Sequence, residues 1–121
     1  MDDEAPLTDA ERATRMAQGR DAFNQGDYYE AHELWESVWN VVDAPLRTWV
    51  QGLIQVATAF HKLQNGRDDV CAILLRKALP KLKDAPPVIE GVQAAIAREA
   101  AKSFLAAIDR GESPDPRAVK L

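Results

Sequence analysis

The chain holds a single cysteine, Cys71, among 121 residues. An internal disulfide is therefore excluded, which fits a reducing, cytoplasmic compartment. Cys71 also falls within a helical pattern with no histidine beside it, so a buried, inert thiol is expected rather than a nucleophile. Long apolar runs are missing too. The most apolar helical stretch, Trp49 to Phe60, is interrupted by Gln51, Gln55 and Thr58 and falls short of a membrane span. The opening residues MDDEAP are acidic and lack the charged-then-apolar pattern of a signal peptide. Histidine is scarce, at two residues, so any metal site would have to draw on carboxylates as well. No segment alternates apolar and polar residues as a half-buried strand would, which excludes a sheet.

What is present describes an ordinary globular domain. A chain of this length supports one core and is too short for two, and 46% hydrophobic with 28% charged residues is typical of soluble proteins. The charge is unevenly spread. Residues 1–43 carry 3 basic and 11 acidic side chains (net −8), residues 44–83 carry 7 and 2 (net +5), and residues 84–121 carry 5 and 6 (net −1). The acidic first third argues against a nucleic-acid binder, which needs a contiguous basic face. Arg76, Lys77, Lys81 and Lys83 are the sole candidates for such a face. Their blander role is to complement the negative end of a helix.

Helix punctuation organises the chain. Thr8 with Glu11 three residues on makes a capping box, so a first helix is expected from about Asp9 to Asn24. Asn24-Gln25-Gly26 breaks it, and Asp27 caps a second helix that ends before Asp43. Pro45 suits the first turn of a third helix running to Asn65-Gly66, a left-handed C-terminal cap. A fourth starts near Arg67 or Asp68 and fades between Pro80 and Lys83. Pro86, Pro87 and Glu90-Gly91 read as loop, and a last helix spans about Val92 to Arg110. The expected organisation is an acidic flexible stretch over 1–7, one helical domain over 8–110 and a flexible polar tail over 111–121. Overlaying Gly26 on Gly66 pairs Ala31 with Cys71, Leu34 with Leu74, Trp35 with Leu75 and Trp39 with Leu79. Two helical hairpins related in this way resemble tetratricopeptide units.

The segment Phe23–Trp39 holds every tyrosine, two of the three tryptophans and one of the two histidines. At ~100° per residue, Tyr28, Ala31, Trp35, Val38, Trp39 and Val42 share one arc, the core face. His32 and Glu36 lie on its shoulder, one turn apart, with Tyr29 and Glu33 continuing outward. Helix three is apolar over more than half its circumference; its remaining stripe holds Arg47, Gln51, Gln55, Thr58 and Lys62, with His61 among apolar neighbours. Three chemistries suit the shoulder. His32 and Glu36 have the i, i+4 spacing of metal ligands, with His61 as a possible third from the next helix. Glu33 and Glu36 could act as an acid/base pair. In the structural reading, Glu30, Glu33 and Glu36 are a solvated face beside a satisfied histidine.

The runs FNQGDYYEAHELWESVW and WVQGLIQVATAFHKLQNG resemble the domain-of-unknown-function family numbered 309. The matches to its signature are Phe23, Asn24, Tyr28–Glu33, Glu36, Trp39, Gln51–Ala57 and His61, and Leu74–Leu82 resembles its next helix. Where the family usually has Gly-Asn and then Gly-Ala before that helix, this chain reads Asn65-Gly66 and Val70-Cys71. The resemblance implies a compact multihelical bundle. It implies no activity, substrate or cofactor, but it joins His32, Glu33, Glu36, Gln51 and Gln55 into one unit.

The expectation is an all-α bundle of about five helices, the second and third central. A polar cluster of Tyr29, His32, Glu33, Glu36, Arg47, Gln51, Gln55 and His61 would bind a small polar ligand or a protein partner, with Arg47 engaging an acidic group. A metal-assisted hydrolase using His32, Glu36 and His61 is one alternative, and a tetratricopeptide-like interaction module the other. No residue is assigned a catalytic role, and no cofactor or metal set is assigned.

Overall fold

The computed structural model describes residues 6–121. Five α-helices form: α1 (Asp9–Asn24), α2 (Tyr28–Trp39), α3 (Leu46–Gln64), α4 (Asp68–Leu82) and α5 (Ala94–Asp109), followed by a short 3-10 turn, Pro116–Ala118. Among the described residues there is no strand. Ile89 and Val92 form an isolated bridge around the Glu90-Gly91 turn.

Local chemistry accounts for the boundaries. The Thr8 hydroxyl accepts from the Glu11 amide at 3.1 Å and the Glu11 carboxylate accepts from the Thr8 amide at 2.9 Å, completing the capping box of α1. At the other end Gly26 has φ 83°, which a side chain rarely tolerates. The Asp27 amide reaches back to the Ala22 carbonyl at 2.9 Å and the Gly26 amide to Phe23 at 2.9 Å. This is a Schellman closure. Gly66, with φ 77°, repeats it at the end of α3, where Arg67 donates to Lys62 and Gly66 to Leu63. The two hairpins also match in burial. Ala31 and Cys71 are both fully buried, as are Trp35 and Leu75, while Leu34, Leu74, Trp39 and Leu79 are all half-buried.

An aromatic column closes the core across both hairpins. Phe23 of α1 lies 5.0 Å from Tyr28, 6.0 Å from Trp35 and 5.6 Å from Phe60, and Phe60 stacks on Phe104 of α5 at 4.8 Å. Each such side chain contributes about 1.5–3 kcal/mol by leaving water. Because α1, α2, α3 and α5 all insert rings into one column, the two hairpins share one core. Two glycines permit close helix approach. The Trp35 indole lies against Gly19 and donates to the Met16 carbonyl at 3.2 Å, and Leu82 packs over Gly52.

Helix α4 passes Pro80 and ends at Leu82, within the expected range of Pro80 to Lys83; Leu82, buried against α3, anchors the last turn. One stretch differs from the sequence expectation. The tail after Gly111 packs back on the fold rather than extending into solvent. Leu121 is buried, and its amide donates to the Asn24 side chain at 2.7 Å. The Gln93 amide donates to the Leu121 carbonyl at 2.9 Å, and the Lys120 ammonium to the Asn24 carbonyl at 2.6 Å. Residues 1–5 of the expected acidic stretch lie outside the described residues, whereas Leu7 packs against the core. No helix among the described residues is long and apolar enough to cross a membrane.

Candidate functional site

Helices α2 and α3 run antiparallel, so the start of α2 meets the end of α3. Tyr29 faces His61 there, with ring centroids 5.5 Å apart, and at the opposite end of the seam Trp39 faces Arg47. Tyr29 also lies 5.5 Å from the His32 ring. Its phenol ring thus bridges the two histidines, one from each motif helix. Tyr29, His32, Thr58, His61 and Lys62 line a recess of about 110 Å³. Tyr29 is 55% exposed, an unusual state for an aromatic beside a closed aromatic core.

The carboxylates stand behind this recess. His32 Nε2 lies 3.2 Å from Glu36 Oε2, and Nδ1 lies 3.9 Å from Glu33 Oε1. Both ring nitrogens therefore face acid groups, and the imidazole is held in orientation by the shorter contact. The Tyr29 phenol is pushed above its ordinary value by its hydrogen bond to Glu33, by that residue's charge, and further by the charges of Glu36 and Glu30. On the α3 side the Thr58 hydroxyl donates to the Ile54 carbonyl at 2.9 Å, and His61 Nε2 lies 3.4 Å from the Asn65 amide nitrogen.

The eight candidate residues separate in space. Tyr29, His32 and His61 meet in the recess, and Glu33 and Glu36 hold His32 from behind. Arg47 instead lies over the Trp39 ring, 4.0 Å from its centroid, a cation–π contact rather than an anion site. Gln51 and Gln55 are half-buried on α3 between these two ends. The Gln55 side-chain oxygen is buried without a hydrogen-bond partner, and so is the Trp39 indole nitrogen. No group of three or more His, Cys, Asp or Glu side chains among the described residues is close enough to hold a metal ion. The His32, Glu36 and His61 set that a hydrolase would use is accordingly not assembled.

Glu33 and Glu36 have a second neighbourhood on the α1 side. With Glu11, Arg15, Ser37, Asn40 and Leu7 among its walls, they border an open groove of about 560 Å³. Sequence reasoning missed Arg15 and Asn40 here. The one signal for Arg15 is that it is one of three basic residues in the acidic first third.

The comparisons with known proteins agree with the motif. A protein of Aquifex aeolicus (strain VF5), described as an uncharacterized protein, is 27% identical over 104 residues, covering 85% of this chain and 31% of its own length. The chain therefore spans about a third of the length of that curated relative. The family model described as "Domain of unknown function (DUF309)" matches residues 16–74, from the middle of α1 into α4. Over the segment that contains both motif helices, the chain is thus similar to the domain-of-unknown-function family numbered 309.

Proposed function

We propose that this protein is a binding module whose α2–α3 rim receives a small hydrogen-bond-donating group, such as an ammonium or guanidinium, carried by a ligand or a partner. The single observation that supports this most strongly is the exposed Tyr29 ring held 5.5 Å from a histidine of each motif helix. A cation entering beside Tyr29 meets an electron-rich face, and Glu33 and Glu36 stand close by as acceptors. Size supports an end group rather than a whole cofactor. Sites for drug-sized ligands enclose roughly 300–1,000 Å³, whereas this recess holds about 110 Å³.

The test is a titration of the protein with methylguanidinium, followed by NMR of the Tyr29, His32 and His61 rings, with acetate as the opposing probe. Saturable ring shifts with methylguanidinium that vanish in Tyr29→Ala and weaken in Glu33→Gln are expected. Shifts produced by neither cation nor anion, or produced equally in the Tyr29→Ala variant, would sink the reading.

A further inference from the structure

Where α4 meets α5, the structure holds another recess, lined by cations. Leu79, Pro80, Lys83, Arg98 and Lys102 line a hollow of about 270 Å³. Three of these five lining residues are cationic and none is acidic. Glu99, just outside, is the carboxylate that reaches them among the described residues. It lies 3.3 Å from the Lys102 ammonium and 3.7 Å from Arg98 Nε. One acid thus serves two cations, and the Lys83 charge adds to the excess.

Arg98 is the informative residue. One terminal nitrogen donates to the Lys83 carbonyl at 3.1 Å, which fixes the guanidinium plane against the end of α4. Its Nε is buried and has no hydrogen-bond partner, the Glu99 oxygen at 3.7 Å being too far. Buried donors are ordinarily satisfied, and a guanidinium already oriented loses little freedom on meeting an oxyanion. Nearby Arg76 pairs with Asp109 at 2.8 Å. At the recess itself Lys83, Arg98 and Lys102 bring three positive charges against the single Glu99 carboxylate.

We infer that this α4–α5 recess is an anion site for a phosphate-class oxyanion, with the exposed end of the Arg98 guanidinium as the orienting donor and Lys83 and Lys102 as flanking charges. A tetrahedral oxyanion offers several acceptors to a preset guanidinium, and Arg suits such groups better than Lys. Leu79 and Pro80 give the hollow an apolar side against which an organic portion would rest. The same chemistry is offered by free inorganic phosphate and by a phosphate ester, and the two differ in whether that apolar side is used.

The experiment is a titration at constant ionic strength with inorganic phosphate and separately with phenyl phosphate, read by NMR at the arginine Nε–H and backbone amides, with chloride as control. Saturable shifts centred on Arg98, Lys83 and Lys102 are expected, with affinity falling at least tenfold in Arg98→Gln. Tighter binding of phenyl phosphate identifies an ester as the preferred source, and equal binding identifies free phosphate. Should Arg98→Gln fail to fold, Lys102→Gln carries the same comparison, because its side chain is exposed and its loss leaves the Arg98 contact to α4 in place. Linear shifts, shifts matched by chloride, or unchanged affinity in the folded variants would overturn the inference.

Discussion

At the scale of single residues, the densest aromatic segment of the chain serves two purposes. Tyr28 and Trp35 are buried and explain much of that density by packing, while Tyr29, the next residue after Tyr28, points outward beside the two histidines. A shift of one position on a helix turns a side chain by ~100°, enough to divide core from rim. Trp35 in turn depends on a residue that contributes no side chain. A Cβ at Gly19 would fall 2.5 Å from Trp35 Cδ1 and 2.8 Å from Cε2. Both are parts of a rigid ring, held in place by the bond to Met16. Gly19→Ala is therefore expected to destabilise the fold by about 2–3 kcal/mol, overpacking and the strained indole bond outweighing the gain in helix propensity. A lowered urea midpoint with unchanged slope would record it, and a neutral or stabilising effect would contradict the packing described.

At the scale of elements, the helix ends follow rules of short range and were legible for that reason. Thr8 and Glu11 are three residues apart, and Gly26 and Gly66 each require a left-handed backbone; a cap depends on its own turn and hardly on the rest of the molecule. Thr8→Ala should cost about 1 kcal/mol. Because Glu11 is held below the usual carboxylate range by its bonds to Thr8, the same change should return its titration toward the ordinary value. Proton NMR of Glu11 across acid pH together with thermal melting would check both effects. Helix α4 passes Pro80, which cannot donate, and closes where expected, with Leu82 packed over Gly52. The misread tail depends on distant partners. In the tail, Leu121 is one apolar residue after a polar, proline-containing stretch, and only the Asn24 side chain and the Gln93 amide give it an anchor.

At the scale of the whole molecule, two buried acids link the fold to alkaline pH. Burial, with the charge of Asp115 adding and Arg117 opposing, pushes the Tyr28 phenol up to about 12 from 10.0. Burial first, then the charge of Asp68, pushes the Cys71 thiol up to about 12 from 9.0. Below about pH 8 both groups are protonated in folded and unfolded chains alike, and neither makes stability depend on pH. As pH rises, the unfolded chain loses these protons first and is favoured, so stability falls from about pH 8 toward 12. The Tyr28 contribution is on the order of 2 kcal/mol. Urea midpoints measured from pH 8 to 11.5 should decline accordingly, and Tyr28→Phe should flatten the part above pH 10. An equally steep decline in that variant would remove Tyr28 from the account.

The sequence by itself determined the all-α class, five helices with their caps, the repeat of two hairpins and the core arc of α2. Those properties are written in periodicity and in turns of a few residues, where the chain's own neighbours supply the physics. It also brought His32, Glu33 and Glu36 together, because one helical turn separates His32 from Glu36. Tertiary structure alone decided which side chains of different helices meet. The antiparallel seam of α2 and α3 put His61 beside Tyr29 and sent Arg47 to Trp39. The α4–α5 crossing left Arg98 with an unanswered donor among Lys83 and Lys102. The physical reason is the same in each case: a helix fixes the direction of its own side chains, but the partner each one finds is set by how closely the helices can approach, and that rests on Gly19, Gly52 and the aromatic column they surround.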